Sequence, residues 1–144
     1  MAEVSFYILS SALLQERYLF ACKLIEKAYR NGQFCYILTD NNAQSRLLDD
    51  LLWTFRAGSF IPHEIYTGQA PSTDKVILIG SVKAPEHWQA LLFNLSSKYP
   101  EDISKTKRIL EIPDNGDVTK VAARSRYRQY QQAGMNITTH NIND

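Results

Sequence analysis

Glycine is sparse and scattered in this chain: its six glycines stand at positions 32, 58, 68, 80, 116 and 134. A loop that cradles phosphate needs clustered glycines, so that backbone N–H groups can approach the anion. Neither GxGxxG nor GxxxxGK occurs, and the stretch after the first predicted strand reads Ser10-Ser11-Ala12-Leu13-Leu14-Gln15-Glu16. No bound nucleotide is expected. Histidine is equally rare, with only His63, His87 and His140, and no HExxH, HxH or GxSxG is present. Thr67 stands where a second zinc ligand would follow His63 and Glu64. The sequence thus predicts no metal, no cofactor and no catalytic residue. Cys22 and Cys35 are the only cysteines, and their spacing fits neither a CxxC nor a zinc pattern. A reduced pair in a cytoplasmic protein is the expectation. Val4 to Leu9 is too short and lacks the basic flank of a signal peptide, and no apolar run approaches membrane-spanning length.

What the chain does have is an alternation of strand and helix patterns. Its 144 residues, 44% hydrophobic, suit one domain spanning 1–144. Val4–Leu9 reads as a strand, and Leu19, Phe20, Cys22, Leu24, Ile25 and Ala28 recur at helical spacing until Asn31-Gly32. A second strand, Phe34–Leu38, precedes a second helix from about Ala43 to Trp53, with Leu47, Leu48, Leu51 and Leu52 as its buried side. Asp49 and Asp50 on that helix read as a solvated pair. Val76–Ile79 is a continuous apolar run, as in a strand buried on both faces. Ala90–Leu95 and Arg108–Ile112 are further strand candidates, Gly68–Asp74 is a loop, and Ser96–Thr106 is a loop or a short helix. A last helix begins near Asp117, a suitable N-cap, and stops at Ala133-Gly134. This order predicts an α/β fold: a three-layer sandwich with a largely parallel central sheet, nucleotide-binding-like in topology but without a phosphate loop.

The last helix carries the most informative pattern. Lys120, Arg124, Tyr127 and Arg128 fall on one helical face, with Gln131 among them. Val118, Val121, Ala122 and Ser125 read as the core face, which leaves the basic and aromatic stripe free to bind an anionic group with an apolar companion. From Val118 to Ala133 there are four cations and no Asp or Glu, so no ion pair within the helix neutralises them. The net charge of +1 is too balanced for a protein that coats nucleic acid through bulk charge. The field is local: Lys105 to Gln132 holds seven Lys/Arg against three Asp/Glu.

A second cluster joins Trp53, Thr54 and Phe55 to Ser59-Phe60-Ile61-Pro62-His63. So many large apolar groups at a helix-to-loop connection either cap the core or form an exposed patch, and an exposed patch marks a partner surface. Trp and Phe beside a rigid Pro suit a binding hot spot.

Taken in order, these segments resemble the chi subunit of the bacterial DNA polymerase III holoenzyme. The matching elements are Phe6-Tyr7-Ile8-Leu9, Leu47-x₄-Leu52-Trp53, Ser59-Phe60-Ile61-Pro62-His63, Asn94-Leu95, Ile109 to Pro113, and Arg124-x-Arg126-Tyr127-Arg128-x-Tyr130-x₂-Ala133-Gly134. The resemblance implies a non-catalytic accessory subunit in DNA replication. It implies two partners: a psi subunit in a 1:1 heterodimer, which ties chi to the clamp loader, and the acidic, Phe-ended C-terminal tail of single-stranded DNA-binding protein. It places the tail on Lys120, Arg124, Tyr127 and Arg128, and psi on Trp53, Phe60, Ile61 and Pro62, a patch open to a helicase as well. Ile112, just ahead of the helix, is the expected wall of a slot for the tail's last ring. DNA is then met only indirectly, and no membrane is involved. Between Ser81 and Lys107 the basic and aromatic spacing departs from the family pattern, and no site is assigned there. The alternatives are a direct binder of single-stranded nucleic acid, with Tyr127 and Tyr130 stacking on bases, and a nucleotide-dependent enzyme working at the carboxyl ends of the strands.

Overall fold

β-Branched and aromatic residues crowd the start of the chain, and Glu3–Leu9 forms strand β1 with Val4, Phe6 and Leu9 buried. The structure is a computed structural model describing residues 2–142; the ends of the expected 1–144 domain lie outside the described residues. Helix α1, Leu14–Arg30, starts earlier than its apolar repeat predicts and buries Tyr18, Ala21, Cys22, Ile25 and Ala28 at three- and four-residue spacing. After β2, Tyr36–Leu38, the side chain of Asn41 caps α2, Asn42–Thr54, by accepting the Gln44 N–H at 2.9 Å. Leu48 and Leu52 are buried on α2 and Leu51 partly so, whereas Leu47, expected inside, is exposed.

The remaining elements are β3 His63–Ile65, β4 Ile77–Gly80, a short 3₁₀ turn at Glu86–Trp88, β5 Leu91–Asn94, β6 Arg108–Glu111, α3 Asp117–Gln132 and β7 Asn136–Ile142. The seven strands form one sheet in the order β3-β4-β2-β5-β6-β1-β7, and every pairing is parallel. This is the α/β sandwich the sequence predicts. The central strands β4 and β5 are buried along their whole length, which explains their continuous apolar runs. The two strands that sequence patterning does not reveal, β3 and β7, are the two edges. No helix of the described residues is long and apolar enough to cross a membrane.

Helices α1 and α2 cover one face over Ile25, Ile37, Leu48, Ile77, Phe93, Leu110 and Ile112. The opposite face is covered by α3 with Trp88, Tyr99 and Ile103 from connecting segments, over Val4, Phe6, Tyr36, Leu78 and Ile109. Packing there is close enough that a Cβ on Gly80 would collide with the Tyr36 hydroxyl. That hydroxyl donates to the Val82 carbonyl at 2.7 Å.

Helix α3 is seated differently from its sequence reading. Val118 and Val121, read as core, are 86% and 65% exposed. The buried positions are Ala123, Arg126 and Tyr130. The reason is a charge inside the core. Glu111 at the end of β6 is fully buried, and only a face carrying Arg126 and Tyr130 can satisfy it. Gly116 is the N-cap residue, and Asp117 stands in the first turn, where the helix dipole favours its charge. Gly134, with φ +79°, takes the left-handed conformation that ends the helix.

Candidate partner-binding site

The site begins with the anchor beneath it. Arg126 Nε donates to both Glu111 carboxylate oxygens, at 3.1 and 3.0 Å, and its Nη1 donates to the Ser97 carbonyl at 3.1 Å. Its Nη2 lies 3.0 Å from Glu111 Oε1 without hydrogen-bond geometry, so Nε carries the directional part of the pair. Tyr130 Oη donates to Glu111 Oε2 at 2.7 Å and Asn94 Nδ2 does so at 2.9 Å. Burial and the adjacent carboxylate push the Tyr130 phenol well above its ordinary range. Of the four cations on α3, Arg126 is therefore neutralised from another strand, and it fixes the rotation of the helix.

That rotation leaves Lys120, Arg124, Tyr127 and Arg128 along the crease between α3 and the β1–β7 edge. They line a groove of about 460 Å³ whose remaining walls are Phe6, Ile8, Pro113, Asp114, Ala123 and Thr139. Its lining is largely apolar, and Phe6 and Tyr127 stand ring to ring at 5.4 Å. Among the described residues, Lys120, Arg124 and Arg128 form no ion pair. The one carboxylate in the lining, Asp114, is buried and accepts the Gly116 N–H at 2.9 Å. Unpaired cations around an apolar floor can hold an acidic peptide that ends in a hydrophobic ring, with guanidinium forks meeting carboxylates.

The four predicted stripe residues thus come together. Ile112 does not join them: it is fully buried in the core under α1 and α2, on the other side of the sheet. Alternation along an extended chain explains the error, because neighbours in a strand point to opposite faces. The apolar wall is supplied instead by Phe6, Ile8 and Pro113, and two of these lie in the Phe6-Tyr7-Ile8-Leu9 segment already singled out. Tyr130 is fully buried and is unavailable for stacking on bases. A smaller cavity of about 120 Å³ lies between Tyr36, Ser81, Lys83, Tyr99 and Asp102. Its two lysines, Lys83 and Lys98, are outnumbered by Asp40, Glu101 and Asp102 in the same lining, and Lys83 Nζ donates to Asp102 Oδ2 at 2.7 Å. The groove on α3 is the larger space, and among its described lining residues three cations stand against one carboxylate.

The second predicted cluster lies at the far edge of the sheet, beside β3. Trp53 and Phe60 are 57% and 80% exposed, and Pro62 is exposed with them. Ile61 departs from the expectation: it is buried and packs into the core. Trp53 leans on His63 at 4.7 Å, and His63 Nε2 lies 3.0 Å from Asp49 Oδ1, so Asp49 belongs to this cluster and is not merely solvated.

The loop that presents Phe60 is tied down by Glu26 of α1. Its carboxylate accepts a short hydrogen bond from Ser59 Oγ and pairs with Arg56 at 2.9 Å and Arg30 at 3.4 Å. The Ser59 hydrogen bond, opposed by burial and reinforced by the two arginines, holds the Glu26 carboxyl below its ordinary value. A depressed folded value stabilises the fold above the ordinary carboxylate range, and this stability is lost as pH falls through the folded value. Urea titrations at stepped pH should show Glu26→Gln less stable than wild type at neutral pH, with the gap closing in acid. A gap independent of pH would count against this account. Both thiols, Cys22 and Cys35, are buried, free, and pushed up to about 12 by desolvation.

Three comparisons place this geometry among known proteins. Residues 1–138 match the family model described as DNA polymerase III chi subunit, HolC. The curated DNA polymerase III subunit chi of Pseudomonas aeruginosa is 32% identical over 142 residues, covering 99% of this chain and 98% of that one. The subunits named chi of Haemophilus influenzae and Escherichia coli are 29% and 26% identical, covering 95% and 82% of this chain and 95% and 80% of theirs. Among solved structures, the crystal structure of T4 UvsW superposes with a TM-score of 0.67 at 10% identity, over 99% of this chain and 41% of that longer one, a likeness of fold alone.

Proposed function

Since this chain belongs to the chi-subunit family of DNA polymerase III, an accessory subunit of the replicative polymerase, we propose that it bridges two partners and has no catalytic role of its own. One partner is the acidic, Phe-ended C-terminal tail of single-stranded DNA-binding protein, held in the groove by Lys120, Arg124, Tyr127 and Arg128. The other is a psi-type subunit on Trp53, Phe60 and Pro62, with the clamp loader beyond it and a helicase as a second user of that patch. Work of this kind belongs in the cytoplasm, with DNA met only through the partners. The observation that carries the reading is the groove itself: three cations, without an ion pair among the described residues, flank an apolar floor large enough for an aromatic ring.

The test is a fluorescence-anisotropy titration with a labelled acidic peptide ending in Pro-Phe. We expect micromolar affinity, roughly 8 kcal/mol. Affinity should fall with salt, because exposed charge pairs are screened, and should be lost when the final Phe is removed. Bare single-stranded DNA is the comparison. Binding to DNA but not to the peptide would favour the direct nucleic-acid reading, which the burial of Tyr130 has already weakened. Binding to neither would leave family and fold standing without the tail assignment.

A further inference from the structure

Strand β7 forms one edge of the sheet and has a neighbour on one side only. Its seven residues match β1 one for one, from Glu3 against Asn136 to Leu9 against Ile142, with no bulge. The direction of its backbone groups follows from two bonds. The Asn136 N–H donates to the Ala2 carbonyl at 3.3 Å, and the Ile142 carbonyl accepts the Ser10 N–H at 3.2 Å. Backbone groups alternate in direction along an extended chain. Residues 136, 138, 140 and 142 therefore face β1, while Ile137, Thr139 and Asn141 turn both N–H and C=O away from the sheet.

An outward row of this kind is a template for another strand, and proteins usually guard it with lysine, proline, a bulge or a covering segment. Here the sequence is Asn136-Ile137-Thr138-Thr139-His140-Asn141-Ile142, with no lysine, arginine, proline or glycine. Among the described residues no strand pairs with its outer side, and most of its residues are exposed. The open edge is also continuous with the groove. Thr139 lines the groove and pairs with Phe6, and Asn141 pairs with Ile8, both of which line the groove as well.

We propose that the acidic peptide docks by adding an eighth strand to β7, exchanging main-chain hydrogen bonds with Thr139 and Asn141 while its terminal ring enters the groove. This rests on the tail reading given above and adds how the tail is held. Charge complementarity selects the occupant: Lys120, Arg124 and Arg128 stand over the same edge and face only the Asp114 carboxylate. Side chains of an added strand alternate between faces, so every second acidic residue would come to the α3 face, beneath these cations. Main-chain pairing would supply affinity and the cations and slot would supply selectivity, as in other strand-addition complexes.

The experiment compares the unmodified peptide with two versions N-methylated on alternate amides, one for each frame. Methylation in the frame facing β7 should weaken binding at least tenfold and methylation in the other frame should not. In parallel, Asn141→Pro removes an outward N–H without touching the bonds to β1, a substitution that an edge strand accepts. It should weaken the unmodified peptide to a similar degree while circular dichroism and the melting transition stay as in wild type. Equal binding of all three peptides, or equal weakening in both frames, would overturn strand addition and leave the tail reading intact. Failure of the unmodified peptide to bind would remove both. Sedimentation supplies a further arm: a dimer that Asn141→Pro abolishes would assign the edge to a second copy of this chain and overturn the proposal.

Discussion

Replacing Arg124 with alanine should weaken binding of the acidic Phe-ended peptide by about 1.5–3 kcal/mol, the range for hydrogen bonds to charged groups. That is roughly 13- to 160-fold in the dissociation constant. Arg124 is exposed, lines the groove and has no ion pair among the described residues. Its loss should therefore leave the melting temperature unchanged and fall wholly on binding. Arg124→Lys keeps the charge but loses the planar fork, and should recover part of the affinity. Each cation removed should also flatten the dependence of affinity on salt. Trp53→Ala supplies the control, because Trp53 lies beside β3 and the groove beside β7, at opposite edges of the sheet. Peptide titrations on these variants would settle the matter: wild-type affinity in Arg124→Ala would remove the groove as the tail site.

The largest effect on stability is expected at Glu111 and Arg126. Breaking a buried ion pair from one side strands the other charge and costs about 3–5 kcal/mol. At roughly 2–4 °C per kcal/mol for a chain near this size, that is a loss of about 6–20 °C in melting temperature. Glu111→Leu is the harsher change, since it removes the acceptor that Arg126, Tyr130 and Asn94 share. Arg126→Met should cost less, because Tyr130 and Asn94 still donate to the carboxylate. The double variant should be more stable than the sum of the singles predicts, which thermal melts of all four proteins would measure. Additive losses would mean that the two charges do not act on one another. Arg126→Met should also loosen the tail groove, since the pair sets the rotation of α3, whereas Arg124→Ala should not affect folding. Of two arginines two residues apart on one helix, Arg124 is thus expected to act on binding alone and Arg126 on stability and, through it, on the groove.

Sequence patterning read the interior well and the margins poorly. β4 and β5 announce themselves because a strand buried on both faces must be apolar throughout. β3 has three residues and exposes Glu64, and β7 is largely exposed, so neither carries the apolar alternation that reveals a strand. The face of α3 misleads because its two valines suggest the core side, while the buried side carries a charged residue. A signal was present: Glu111 interrupts the apolar run Ile109–Ile112, and an acid buried there requires a cation from the element packed above it. The stripe was legible regardless, because the spacing of Lys120, Arg124, Tyr127 and Arg128 gathers them on one face whichever side is buried. Ile112 and Ile61 depart from their sequence expectation for a simpler reason. Neighbours in an extended segment point to opposite sides, and position along the chain does not show which side each takes. Ile61 lies between the exposed Phe60 and Pro62, and Ile112 follows Glu111, which faces α3 across the sheet.

The place of β1 in the sheet has a consequence for how the chain folds. Its two neighbours are β6 and β7, which begin at Arg108 and Asn136, so the first strand made has no partner until three quarters of the chain exists. At synthesis rates of about 5–20 residues per second, β1 waits roughly 5–20 s after emerging. During that time β2, β4 and β5 already have one another. The order in which partners become available runs from the β3 edge across the sheet toward the β7 edge, with β1 and β7 closing together. Contacts so distant in sequence slow folding, because the loop they close must be ordered before they can form. The groove is built from β1, α3 and β7, so it is completed in that closing step, and no partner can engage it before the sheet is finished.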